Sequence, residues 1–341
     1  MRVRELIDVI EATADPGRAA SWDRSGVQVA GTLDRCDKLA MALDATPALL
    51  RDALDWGAQV ILVHHPLTLS PRLPDRLDDF HRMLTLLLPH GVWLYAAHTS
   101  LDVVTDGPAG WLADELGLRN RRVLEPAGTI PSLAARWTMP DPRSGREALA
   151  GMAGVTARTD GPDLLEAVFA PGHKTRVMAA VAAASPQAAL FSLTELREPA
   201  TVYGYGLVGD LPAPLSLEAL KAGLAALLPR RFFVQAGNGP QSVTTVAYCP
   251  GSGADMAPRA FAAGAEVYVT GDLKYHQAQV VPADRCVLDV GHFSLEEVMM
   301  RRFAAALSQT LGPSGPDVRF FPGNDPFSVH IPTGTASLGT E

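Results

Sequence analysis

Four apolar residues, Val60-Ile61-Leu62-Val63, run directly into His64-His65-Pro66. Three of the four are β-branched, so the run reads as a strand buried on both faces. Pro66 has no N–H to donate and stops the ladder. A buried strand of this kind belongs in a parallel sheet covered by helices. Its C-terminal end is where open α/β sheets place their chemistry, and here that end carries two adjacent imidazoles. One histidine is most often a hydrogen-bonded structural residue. Two in tandem at a strand end raise the prospect of a metal, because imidazole is the commonest metal ligand.

The flanking segments follow the same scheme. An amphipathic helix is expected over residues 1–20, with Leu6, Ile7, Ile10 and Ala14 on its apolar face. Trp22 to Gly31 reads as a turn and a short strand, and Leu39 to Asp44 as a second strand. Thr46-Pro47 then opens a helix to about Trp56, with Thr as N-cap and Pro at the first helical position. A loop over Thr68–Asp79 and a helix over Phe80–Leu88 lead to a buried strand ending near Ala97. His98-Thr99-Ser100-Leu101-Asp102 follows, then a helix from about Pro108 to Leu116 closed by Gly117.

Residues 120–160 change character. Pro, Gly, Ala and Arg are frequent and periodicity is poor, so a boundary is expected. Strand, helix and strand are expected over Leu164–Phe169, His173–Ala184 and Ala188–Leu196. A glycine-rich strand at Tyr203–Asp210 and a helix N-capped by Ser216 come next. Ser242–Cys249 is a strand followed by Pro250-Gly251-Ser252-Gly253 and a helix to about Ala263. Such a turn can hold an anion on backbone N–H groups, although tight strand-to-helix packing explains its glycines as well. Glu266–Thr270 is a further strand ending in Gly271-Asp272. Arg285–Val290 is another, running into Gly291-His292-Phe293-Ser294-Leu295-Glu296-Glu297. Ser294 with Glu297 is a capping-box pattern, which predicts a helix starting at Ser294 with His292 just before it. A Pro/Gly-rich strand and tail are expected after about Leu311.

Donors therefore cluster at strand-to-helix junctions: His64 and His65, Asp102, His292 and Glu296, with Asp272 and His276 at a fourth. Each alone has an ordinary role as cap, first-turn acid or backbone-bonded imidazole. Together, three histidines and two carboxylates exceed what one tetrahedral ion with an open position needs. They suit two divalent ions sharing a bridging carboxylate, about 3.5–4 Å apart. Mixed imidazole and carboxylate ligation fits zinc, iron, manganese or cobalt without choosing among them.

Composition narrows the function. The 341 residues suggest two domains, and a formal net charge of −8 without a dense basic run argues against a nucleic-acid groove or an anionic membrane as main partner. A small phosphorylated ligand needs only a local nest. No apolar run approaches the roughly 20 residues that span a bilayer. Cys36, Cys249 and Cys286 form neither a disulfide framework nor a CxxC site, which points to a reducing cytoplasm.

Several motifs carry a resemblance to a known family. Trp22-Asp23-Arg24-Ser25-Gly26-Val27-Gln28-Val29 resembles the WDN-x-G-L-Q-V opening of the dinuclear metal-centre hexamer family, the GTP cyclohydrolase 1 type 2 or Ngg1-interacting-factor-like proteins. Ala42–Thr46, Val63–Leu67, His98–Asp102, Thr270–His276 and Asp289–Glu296 resemble its later motifs, in order. The resemblance implies that His64, His65, Asp102, His292 and Glu296 hold two metals, Glu296 bridging. It implies His98, Asp272 and His276 as nearby orienting or proton-transfer groups.

It further implies an α/β fold of two similar three-layer halves forming one metal-binding unit. Residues 1–125 and 201–341 would be the halves, and 126–200 a reduced β-α-β insertion resembling part of a PII or CutA domain, recognisable over Leu164–Glu198. A toroidal homohexamer would follow. The expected activity is metal-dependent hydrolysis of a small nucleotide or heterocycle by a metal-bound hydroxide, with Gly251, Ser252 and Gly253 available to a phosphate. A non-catalytic metal-delivery scaffold and a two-metal phosphoesterase are the alternatives. An open coordination position separates an enzyme from a scaffold.

Overall fold

A computed structural model describes residues 1–152 and 154–330; the expected tail beyond 330 lies outside the described residues. The fold is mixed α/β, with two sheets among the described residues. Two compact units are present: Met1–Leu124 with the described residues from Gly206 onward, and Glu125–Tyr205.

In the first unit, α1 (Val3–Thr13) buries Val3, Leu6 and Ile10. It is followed by β1 (Gly26–Val29), β2 (Lys38–Ala42), α2 (Pro47–Trp56), β3 (Val60–Val63), α3 (Asp79–His90), β4 (Trp93–Ala96), α4 (Thr99–Asp102) and α5 (Trp111–Glu115). Thr46 Oγ1 accepts from Leu49 N at 3.2 Å, and Gly57 closes α2 in the left-handed region, as its sequence predicts. All four residues of β3 are buried. The three strands β2, β3 and β4 are parallel, and Ala42, Val63 and Ala96 stand in register. Leu43-Asp44, His64-His65 and Ala97-His98 therefore leave the sheet at one edge. β1 joins β4 antiparallel.

Two long strands, β5 (Arg119–Thr138) and β8 (Ala189–Ser216), run from one unit into the other. Within the second unit lie α6 (Pro142–Leu149), β6 (Val155–Asp160), β7 (Leu164–Phe169) and α7 (Lys174–Ala184). β7 is paired antiparallel with both β6 and β5. Its core is its own: Trp137, Leu149, Leu165, Phe169, Val177 and Val181 are buried together. Residues 120–160, where a boundary was expected, contain the change of unit at Leu124/Glu125 and carry most of β5 together with α6 and β6. Arg136 on β5 and Arg158 on β6 both pair with Glu166, itself buried on β7.

Back in the first unit, α8 (Leu217–Leu227), β9 (Val234–Ala236), β10 (Ser242–Tyr248), α9 (Ala257–Ala262), β11 (Val267–Thr270), α10 (Tyr275–Gln279), β12 (Cys286–Asp289), α11 (His292–Leu311) and β13 (Asp317–Phe320) follow. β10, β11 and β12 are parallel and flanked by antiparallel partners, β8 and β9. The fully buried β11 and β12 again deliver polar residues at one edge. Contrary to a simple division into two halves, β13 pairs in parallel with β2 of the first sheet, Val318 opposite Leu39 and Arg319 opposite Ala40. One hydrophobic core joins Leu39, Leu62 and Tyr95 with Val246, Val269 and Leu288. Among the described residues, no helix is long and apolar enough to cross a membrane. All three cysteines are buried, and none is in a disulfide.

Candidate metal centre

The N-cap of α11 falls three residues earlier than its capping-box pattern suggests. Gly291, at φ 95°, serves as N-cap, and its N–H donates to Asp289 Oδ1 at 2.9 Å. Ser294 is therefore inside the helix and fully buried, while Glu297 accepts from Gly323 N instead of closing a box. The shift puts His292 and Glu296 at i and i+4 on one face. His292 Nε2 lies 2.8 Å from Glu296 Oε2.

Glu296 is 3% exposed and stands at the centre of the donors. Its Oε2 faces His292 and also His65 Nε2, at 3.1 Å. Its Oε1 faces His64 Nε2 at 3.5 Å, and that nitrogen is 3.5 Å from Asp102 Oδ1. Two groups result, His65–His292–Glu296 and His64–Asp102–Glu296, each able to hold a metal ion. A third combines His64, His65 and His98. Structure thus brings all five expected ligands together and adds His98 to them.

Each ring is aimed by its other nitrogen. Nδ1 of His64 meets Ala97 O at 2.7 Å, Nδ1 of His65 meets Asp44 Oδ1 at 2.7 Å, and Nδ1 of His98 meets Asp23 Oδ1 at 2.7 Å. Nδ1 of His292 meets Asp272 Oδ2 at 2.8 Å. An acceptor on Nδ1 makes it the protonated nitrogen and leaves Nε2 as the ligating one. Asp272, expected near the chemistry, is therefore a positioning residue, held at φ 58°. Asp23 and Asp44 have the same task. Both lie within the quoted motifs, but a carboxylate far from its imidazole in sequence carries no spacing signal.

Protonation shows what the cluster asks for. Burial favours neutral imidazole at His65, but hydrogen bonds to Asp44 and Glu296 outweigh it and push the pKa up to about 10. Burial is likewise outweighed at His292 by Glu296 and Asp272, giving about 9. At His64 the charges of Asp102 and Glu296 overcome burial and raise the value. Burial raises Asp102, with Glu296 adding to it, while the surrounding imidazoles hold Glu296 well below the usual carboxylate range despite its burial. Without a metal, protons gather at the ligating nitrogens. Even so, His64 Nε2 and Asp102 Oδ1 are buried with no hydrogen-bond partner. Such orphaned atoms are rare unless a further group satisfies them, and the donor set fits a divalent cation.

Other expected site residues fall elsewhere. His276 is exposed on α10, bonded to Gln279 and edge-on to Tyr275, outside the three donor groups. Gly253 N–H already donates to Thr270 Oγ1 at 3.1 Å, so it is not free for a phosphate. Gly251 admits the carboxylate: a Cβ there would sit 2.3 Å from Glu296 Oε1. Close packing, rather than an anion nest, accounts for these glycines, and Ser252 is exposed beside them.

Asp23 ties the segment before β1 to this edge. Its fully buried side chain accepts from His98 Nδ1, Ser25 Oγ, Thr99 Oγ1 and Thr99 N. Burial opposes its charge, but the bonds from His98, Ser25 and Thr99 prevail and hold the carboxyl well below the usual range. Asp23→Ala leaves these donors unsatisfied and is expected to destabilise by about 2–4 kcal/mol, read by urea unfolding. Because the folded pKa is depressed, this stabilisation is present above the usual carboxylate pKa near 3.9 and disappears on acidification. The variant should therefore lose less stability than the parent between about pH 5 and pH 3.

Relatives of known sequence and structure match nearly the whole chain. A Mycobacterium tuberculosis protein named GTP cyclohydrolase 1 type 2 homolog is 28% identical over 368 residues, covering 90% of this chain and 93% of the relative. A Halalkalibacterium halodurans protein of the same name is 28% identical over 351 residues, covering 90% and 92%. Among solved structures, a Bacillus cereus protein related to NIF3 superposes with a TM-score of 0.74 at 25% identity, covering 97% of this chain and 99% of its own. Reduced HcgD from Methanocaldococcus jannaschii shares the fold, with a TM-score of 0.62 at 21% identity, covering 94% and 96%. The family described as Duf34/NIF3 (NGG1p interacting factor 3) matches residues 1–324, and the chain belongs to that family.

Proposed function

We propose that this chain is a dinuclear metal protein and a hydrolase of a small nucleotide or heterocycle, of the GTP cyclohydrolase 1 type 2 kind. The observation that carries the reading is the division of Glu296: one oxygen faces His65 and His292, the other faces His64. A carboxylate so placed can serve two cations at once. Bound divalent ions would supply Lewis acidity and favour hydroxide over water near neutral pH. His65, His292 and Glu296 would hold one ion; His64, Asp102 and Glu296 the other. Asp44, Asp272 and Ala97 O keep the Nδ1 protons and so keep the Nε2 lone pairs inward. His98, paired with Asp23 and 5.2 Å from the His64 ring, can accept a proton or join the donors. The names of the relatives support hydrolysis of GTP as the first reaction to try. A homohexamer and a PII- or CutA-like character for residues 126–200 belong to the same proposal, as does a cytoplasmic setting.

Elemental analysis tests it. Purified chain should carry about two transition-metal ions, and Asp102→Ala about one, because only one donor group loses a ligand. Unchanged stoichiometry in the variant counts against the assignment. Metal-loaded protein should release formate from GTP. Release of inorganic phosphate instead would make it a phosphoesterase, and neither product would favour a scaffold.

A further inference from the structure

Arg230 lies between α8 and β9, and its side chain is 8% exposed. The guanidinium carbon is 4.1 Å from the ring centroid of Phe232 and 5.6 Å from that of Phe327. Gly291 makes room for it, since a Cβ there would fall 2.6 Å from Arg230 Nη1. The guanidinium lines a cavity of about 420 Å³ that is also lined by His65 and His292. No other lysine or arginine lines that cavity among the described residues.

Four carboxylates share the walls, and three are committed. Asp44 holds His65, and Asp272 holds His292. Asp289 accepts from Gly291 N, Leu273 N and Arg230 Nη1, the last at 3.4 Å. Asp325 differs. Its Oδ1 accepts from Phe327 N, but its Oδ2 stands 3.3 Å from Arg230 Nε without making a hydrogen bond. Both of those atoms are buried and without a hydrogen-bond partner. A buried guanidinium usually satisfies its planar fork by bidentate bonding to an oxyanion. Here the fork is met only loosely, by Asp289 at the end of β12 and by Asp325 in the irregular segment that follows β13.

We propose that Arg230 is the anion seat of the cavity beside the metal centre, and that Asp325 occupies this seat in the free chain. The ligand is a small compound with one planar ring and one anionic group, a phosphate or a carboxylate. Its ring lies among Leu43, Leu273, Phe293 and Phe327, which line the same space. A volume of this size takes a nucleoside monophosphate. Binding exchanges one carboxylate for the ligand's phosphate or carboxylate on the same guanidinium. This deepens the hydrolase reading and rests on it only for the view that the cavity is the reaction chamber.

Equilibrium dialysis of the metal-loaded full chain with GMP, orotate and guanosine tests the proposal, with metal content measured in the same samples. GMP and orotate present the oxyanion as phosphate and as carboxylate; guanosine has none. Binding of either anion is expected, the tighter one identifying the group recognised. Arg230→Met should weaken it about tenfold or more, the scale of a lost charge-assisted pair, with guanosine unaffected. Asp325→Asn should tighten it severalfold, because a competitor is removed. An unchanged affinity in Arg230→Met, or an unchanged or weaker one in Asp325→Asn, makes the pair a mere tether and overturns the proposal. Should Arg230→Met fail to fold, Asp325→Asn decides alone. A parent chain without metal overturns the hydrolase reading separately, while Arg230-dependent anion binding would still stand.

Discussion

A Glu296→Gln chain should retain almost no metal. The substitution is isosteric, so packing around this buried side chain is kept. What changes is charge and donor character. Each oxygen of Glu296 serves a different donor group, so one substitution strikes both. Even residues that only orient a metal ligand typically change affinity by about 10–100-fold, and loss of a shared anionic ligand exceeds that. Mass spectrometry of the purified variant should fall from about two ions to near none, against about one for Asp102→Ala. Far-UV circular dichroism should show the fold intact. Retention of both ions would remove the bridging role. The histidine pKa values add a pH dependence. His65 titrates at about 10 and His292 at about 9 without metal, so protons compete with the metal at neutral pH. Metal should be stripped more readily by dialysis at pH 6 than at pH 8.

Gly271→Ala is expected to be the most damaging single-methyl change. A Cβ at 271 would lie 2.4 Å from His292 N and 2.6 Å from His292 Cα. These are backbone atoms at the first residue of α11 and cannot swing aside. The opposing wall is no freer, because Gly271 N donates to Gly251 O at 3.1 Å. Relief requires moving either α11 or the β11 end, and with it the Nε2 of His292. Destabilisation of about 4 kcal/mol or more is expected, at the upper end for point substitutions. Thermal unfolding should report a drop of roughly 10 °C for a unit of this size. Gly172→Ala is the control: nothing lies within 4 Å of its added Cβ, and its stability should stay within about 0.5 kcal/mol.

Where one face or one strand carried the signal, the amino-acid order disclosed the structure. The Val60–Val63 run, the Thr46-Pro47 start of α2 and the α7 segment are local features, and each forms as read. The five proposed ligands converge because they all sit just beyond parallel strands, a position the order of elements reveals. Longer-range features were less legible. The α11 start depended on Asp289 accepting from Gly291, which defeated a local capping signal at Ser294. Asp23 and Asp44 were invisible as partners because their imidazoles lie 75 and 21 positions away. His276 looked like a site residue because it closes a motif, yet α10 turns it outward. In the second unit Leu133, Ala135 and Trp137 do alternate with more exposed residues, but the pairing of Arg136 and Arg158 with the buried Glu166 joins three strands and carries no local signal.

The pairing of β13 with β2 sets a timetable for biosynthesis. As the chain leaves the ribosome, Lys38–Ala42 presents an unzipped strand border until residues 317–320 arrive to cover it. Bare borders of this sort invite pairing with other chains, so this one stays open to such pairing until residues 317–320 have been made. Both Glu296-centred donor groups also need residues translated late, at 292 and 296 or at 296 alone. Cation capture at either would therefore wait until residues 292–296 have been made.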